Sequence, residues 1–156
     1  MPDRRLPMGL EALVPTAVKW IAEQEQWILK DGVALTPQES ADARAAGVLH
    51  PDRVRVLRVA RVPSIGGPVL SRAAEKIGLS AGDAAGMAMQ YGIFLQRDLQ
   101  ASRWILAHEL THTAQYERLG GIAPFLRAYV LDVLAHGYRG AHMELEANEM
   151  ARQIAG

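Results

Sequence analysis

Apolar residues recur at helical spacing near the start of the chain: Leu10, Leu13, Val14, Ala17, Val18, Ile21 and Ile28, with Lys19, Glu23 and Glu25 elsewhere on the wheel. The pattern predicts an amphipathic helix over roughly residues 10–30, ended by Asp31-Gly32. Thr36-Pro37-Gln38-Glu39 reads as a capping box with proline at the first helical position, opening a short helix that closes at Gly47. Val54 to Val59 alternates as a half-buried strand does. A loop over residues 62–68 leads to a short helix, about 69–77, with Gly78 as its C-cap. Residues 87–95 read as a second strand, where Gly86 and Gly92 suggest a bend or close backbone approach. The remainder is helical, about 98–119, 123–136 and 142–155. An α+β fold follows, mostly helical with a small sheet.

Length and composition narrow this picture. The 156 residues suit one domain spanning residues 1–156, with one core and no linker rich enough to divide it. Residues 1–35 either pack on that body or form an accessory segment, such as a latency peptide or a docking helix for a protein partner. No run approaches the roughly 18 apolar residues of a membrane span. Seventeen basic and seventeen acidic residues balance, which gives no electrostatic reason to expect nucleic acid. Arginines 53, 55, 58 and 61 resemble a phosphate-reading stripe, but no aromatics interleave to stack bases. No apolar h-region follows Arg4 and Arg5, so a secretory signal is not expected and the cytoplasm is the default location. Leaderless export leaves no signature and stays open. The chain lacks cysteine, so any zinc must take histidine and carboxylate ligands.

The chemistry is concentrated in Ala107-His108-Glu109-Leu110-Thr111-His112, which contains a complete H-E-x-x-H. On a helix, residues four apart leave the same face with Cβ atoms roughly 5–6 Å apart. That separation suits two Zn–N bonds of about 2.0–2.1 Å. Glu109 stands about 100° round the helix, where its carboxylate can act as general base. Gly120-Gly121 stops the helix after Leu119, and Ser102 is the candidate cap at its start, so the motif falls mid-helix. One Zn²⁺ ion is the expected cofactor.

A catalytic zinc usually has three protein ligands and an open position. Glu117 points away from the histidine pair, and Asp132 and His136 read as a polar helix edge. On the last helix Met143, Ala147, Met150, Ala151 and Ile154 form an apolar face. Glu144 lies about 70° from its centre, Glu146 about 90° on the other side, and Glu149 nearly opposite, at 100° per residue. Glu144 is therefore the carboxylate nearer the core and the candidate third ligand, with Asn148 one turn later.

H-E-L-T-H followed by a helix bearing E-x-x-x-D resembles the gluzincin metallopeptidases. The resemblance implies Glu144 as the third zinc ligand and places Asn148 where the pattern has an aspartate partner for a ligand histidine. A neutral Asn raises imidazole basicity less than a carboxylate would. The run from His108 to Tyr116, the Gly120-Gly121 break and the Glu144-to-Ala147 stretch are also similar to small bacterial zincin-like domains of unknown function. Such domains often accompany toxins or contractile injection systems. The implied function is zinc-dependent hydrolysis of peptide bonds in a peptide or protein substrate. Glu109 is the base, the strand at 87–95 pairs with extended substrate, and Tyr138 and His142 are candidates to assist the oxyanion. The alternatives are a zinc-bound binding or structural module without turnover, and a latent peptidase masked by residues 1–35.

Overall fold

The computed structural model describes residues 5–79 and 84–156, so residues 1–4 of the N-terminal segment lie outside the described residues. Helices α1 (Met8–Glu11) and α2 (Val14–Asp31) replace the single helix expected there. Pro15, in the first turn of α2, has no N–H to continue the ladder from α1, so the helix restarts at that point. Next come β1 (Val33–Ala34) and α3 (Pro37–Ala45), whose Thr36–Glu39 capping box is fully formed. A 3₁₀ turn at Pro51–Arg53 enters β2 (Arg55–Val59), followed by α4 (Pro68–Lys76).

The expected single strand at 87–95 is instead a hairpin of β3 (Gly86–Met89) and β4 (Gly92–Gln96). It turns at Gln90, which has a φ of 61°. The turn leaves the Tyr91 backbone amide needing an acceptor. Glu25 of α2 supplies it at 2.9 Å and also accepts from the Gln90 side chain. Glu25 is therefore buried, although the helical wheel set it apart from the apolar face.

The sheet order is β1-β2-β4-β3, with β2 and β4 parallel and the other two pairings antiparallel. β4 is buried on both faces. Ile93 and Leu95 pack with Val54, Val56, Leu106 and Leu110 on one side, and Phe94 packs with Ile21, Ile28 and Met89 on the other. That double burial explains the unbroken apolar run Ile93-Phe94-Leu95. Because Ile21 and Ile28 belong to α2, the N-terminal helix is a component of the core.

Helix α5 (Ser102–Leu119) is buried on nearly every side from Leu106 to Tyr116. It starts later than expected, after a turn in which Asp98 has a φ of 61°. Ser102 is its first helical residue; the cap position is Ala101, which makes no side-chain cap bond. Gly120, at φ 100°, closes it in the left-handed conformation that glycine adopts at least cost. α6 (Ile122–Gly140) is interrupted at Gly137, with φ 74° and ψ 167°, and α7 (His142–Ala155) packs across α5. The result is an α+β fold with the H-E-x-x-H motif on its central helix. Among the described residues no helix is long and apolar enough to cross a membrane.

The arginine stripe is engaged within the chain at three of its positions. Arg53 lies 4.1 Å from the centre of the Tyr91 ring, Arg55 donates to the Asp52 and Val54 carbonyls, and Arg58 pairs with Glu39.

Candidate metal centre

α5 and α7 bring His108, His112 and Glu144 together, with ligand atoms all within 4.8 Å of one another. Glu144 stands in the first turn of α7 and reaches both rings: its Oε1 is 3.1 Å from His108 Nε2 and its Oε2 is 3.1 Å from His112 Nε2. Two ligand atoms on a tetrahedral zinc lie roughly 3.3 Å apart when the bonds are 2.0–2.1 Å. The observed spacings are close to that edge. Tyr129 of α6 donates its hydroxyl at 2.7 Å to Glu144 Oε2, the oxygen that also faces His112, and so holds the carboxylate in place.

The hydrogen bonds decide the tautomer of His112. Gln115 Nε2 donates to the Met143 carbonyl at 3.0 Å and to Glu146 Oε1 at 2.8 Å, both pure acceptors. Its Oε1 therefore faces His112 Nδ1 at 2.7 Å, so Nδ1 carries the proton and donates it. The Nε2 lone pair is left aimed at Glu144, the arrangement a metal-binding histidine needs. Two acceptors facing each other at 3.1 Å require a cation between them. In the metal-free site a proton fills that role. Burial disfavours the charged His112 ring, but the bond to Glu144 and the charges of Glu109 and Glu144 outweigh it and hold the ring's pKa up to about 9. Burial also opposes the charge on Glu144, yet hydrogen bonds from His108, His112 and Tyr129 keep it well below the usual carboxylate range. A divalent ion satisfies the same acceptors and displaces the proton, so these residues fit zinc.

His108 is held differently. Its ring stacks on Trp104, with centroids 5.6 Å apart, while its Nδ1 is buried without a hydrogen-bond partner. Glu109 is 6% exposed, and its Oε2 is likewise buried without a partner. Burial raises the Glu109 pKa, while the two histidines and the Ala88 backbone amide favour its charged form. Gly86 of β3 lets the strand come this close, since a Cβ there would sit 3.0 Å from Glu109 Cγ and 3.1 Å from Ile105 Cγ2.

A family model described as the eCIS core domain matches residues 69–120. The matched stretch covers about a third of the chain and runs from α4 through the hairpin to the end of α5. It contains His108, Glu109 and His112 and stops short of Glu144. Over that stretch the chain is similar to a domain of extracellular contractile injection systems, which points to an injection-system-related role among protein partners. No curated protein and no solved structure matches the chain.

A cleft of about 550 Å³ opens beside the centre, lined by Trp20, Ile21, Met87, Met89, Phe125 and Leu126 together with His108, Glu109, His112 and Glu144. A smaller lobe of about 490 Å³ shares His108, Glu109 and Glu144 with it and is also lined by Ala84, Ala85, Gly86, Trp104 and Asn148. Tyr138 lines both lobes, and burial together with the charges of Glu144 and Glu109 raises its hydroxyl pKa to about 12. His142 lies outside the cleft. It stacks on His136 at 4.2 Å, and its backbone amide donates to Asp132, so it is not placed to touch a substrate oxygen there.

Asn148 is half-buried and makes no hydrogen bond to either histidine; the partner of His112 is Gln115. Gln115 follows His112 by three residues, a separation at which helix side chains meet, so its role had a local signal. Tyr129 and Glu146 had none. A second group, Asp132, His136 and His142, sits at the α6–α7 junction. Its two Asp132 oxygens already accept from the His142 and Met143 amides, which caps α7. Glu117 faces elsewhere, accepting from the Leu49 and His50 amides and the Tyr91 hydroxyl.

Proposed function

We propose that this domain is a zinc-dependent peptidase working within a contractile injection system. The observation that carries the reading is the convergence of three acceptors, His108, His112 and Glu144, beside a buried Glu109 oxygen that has no partner. When bound, zinc supplies a Lewis acid that polarises a carbonyl and lowers the pKa of a water.

The protein's own groups supply the rest. Glu109 Oε2 takes the proton of the attacking water and releases it to the departing amine, a task suited to a carboxylate whose pKa burial has raised. Tyr138, protonated at neutral pH, donates from the cleft wall to the carbonyl oxygen as that oxygen gains charge. Tyr129 is committed to Glu144 and takes no part with substrate. The β3 edge offers limited strand pairing, because the Ala88 carbonyl already accepts from Tyr116 at 3.2 Å. An extended peptide therefore pairs at Gly86, next to Glu109, and not along the whole strand.

Metal analysis with digestion of a peptide library tests this reading. Wild type should hold one zinc and cleave, Glu109→Gln should hold zinc without cleaving, and His112→Ala should lose the metal. Zinc in wild type with no cleavage of any peptide would favour a non-catalytic zinc module. Equal cleavage by wild type and Glu109→Gln would overturn the mechanism.

A further inference from the structure

The smaller lobe of the cleft carries two polar side chains that the proposed hydrolysis does not use. Asn148 faces it from α7 and Arg139 from the segment between Gly137 and Gly140. Among the described residues neither makes a side-chain hydrogen bond, and Arg139 makes no ion pair. Away from the centre itself, the other described residues that line that lobe are Ala84, Ala85, Gly86, Trp104, Ile105 and Tyr138. Gly137 breaks α6 at φ 74°, and the two residues after the break, Tyr138 and Arg139, line both lobes.

Charge indicates what this pair would take. A divalent ion contributes +2, Glu144 and Glu109 contribute −1 each, and the neutral imidazoles add nothing, so the loaded centre sums to zero. Among the described residues that line the smaller lobe, Arg139 then leaves a charge of +1, and Asn148 adds a neutral amide whose N–H₂ can donate into the same lobe. An aspartate at position 148 would cancel that charge. The larger lobe is mostly apolar and, among the described residues, has no cation in its lining except Arg139, which lines both lobes.

We infer that Arg139 and Asn148 form a receptor for a carboxylate on the substrate, seated in the smaller lobe while an apolar side chain occupies the larger one. This inference rests on the peptidase reading for its substrate and gives Asn148 a role toward substrate, not toward the metal. The carboxylate is either a peptide C-terminus or an acidic side chain.

Fluorescence anisotropy on zinc-loaded Glu109→Gln protein tests the receptor without turnover. The probes are three fluorescein-labelled peptides sharing one central phenylalanine: a free acid, its C-terminal amide, and an amide with one internal Gln replaced by Glu. A charge-assisted hydrogen bond predicts that one of the two carboxylate peptides binds roughly 10- to 100-fold more tightly than the neutral amide. Which one does so identifies the source of the carboxylate. Adding Arg139→Gln or Asn148→Asp should reduce the preference to under about threefold, whereas Arg139→Lys should keep part of it.

Equal affinity for all three peptides, including no binding by any, overturns the receptor. So does a preference that survives Arg139→Gln. Wild-type protein given the same peptides separates the two readings. Carboxylate preference without cleavage sinks the peptidase and leaves the receptor standing, while cleavage without preference does the reverse.

Discussion

Gln115→Leu is the substitution that most directly tests how the centre is held. Gln115 is fully buried and joins three groups: His112 Nδ1 at 2.7 Å, the Met143 carbonyl at 3.0 Å and Glu146 Oε1 at 2.8 Å. Leucine nearly preserves the volume and removes all three bonds. The His112 N–H is then left buried without an acceptor, at a cost of about 1–3 kcal/mol to the metal-free fold. The ring also loses the contact that sets its tautomer. Loss of such a partner lowers metal affinity roughly 10- to 100-fold, which is about 1.4–2.8 kcal/mol at 1.4 kcal/mol per decade. Zinc competition against a chromophoric chelator at pH 7 measures the affinity, and urea unfolding of the metal-free protein measures the stability. Asn148→Ala is the contrast, and it should leave zinc affinity within about twofold. If Asn148→Ala weakened zinc and Gln115→Leu did not, the assignment of the histidine's partner would be wrong.

Further outcomes follow from the same geometry. In metal-free protein, His112 is held charged to about pH 9, so the stability it contributes is fully present below about pH 6.5 and is lost as pH rises through 9. Urea midpoints of metal-free protein should fall between those values, and zinc-loaded protein should lack that decline; a flat metal-free profile would contradict the His112–Glu144 coupling. Zinc binding at pH 7 should also release about one proton, read from the buffer dependence of the calorimetric heat. Gly86→Ala should cost about 1–3 kcal/mol through crowding and should lower kcat with zinc retained, because the added methyl presses on Glu109; unchanged kcat would mean that Glu109 has room to move. Deleting residues 1–31 should abolish cooperative unfolding, since Ile21, Glu25 and Ile28 are buried against the hairpin and sheet. A folded, more active product would restore the latency reading.

The local and the distant parts of the centre differ in how far they could be read from the chain. His108, Glu109 and His112 fall within about one helical turn, and helix geometry alone sets their mutual placement. The capping box at Thr36–Glu39 and the glycine stop at Gly120 are local in the same sense, and both formed where the residues indicated. Glu144 was legible because a carboxylate bordering an apolar face must find a partner or stay wet.

Other features depended on which elements meet. Glu25 is not part of the apolar stripe of α2, yet a hairpin 65 residues away needed its oxygens. The strand expected at 87–95 folded into two because Gln90 turns the chain, and a run of apolar residues does not reveal a turn made by a non-glycine at positive φ. Tyr129, Glu146 and Arg139 join the site only through the crossing of α5, α6 and α7.

The sequence by itself determined the mutual placement of His108, Glu109 and His112, since side chains separated by fixed helical rotation need no tertiary information. Only the tertiary structure decided what surrounds them: Gln115 as the partner of His112, Tyr129 on Glu144, and Asn148 lining the same lobe of the cleft as Arg139. The physical reason is range. Helix geometry acts over three or four residues, whereas hydrogen-bond satisfaction at a buried site draws on whatever packing has brought within about 3 Å.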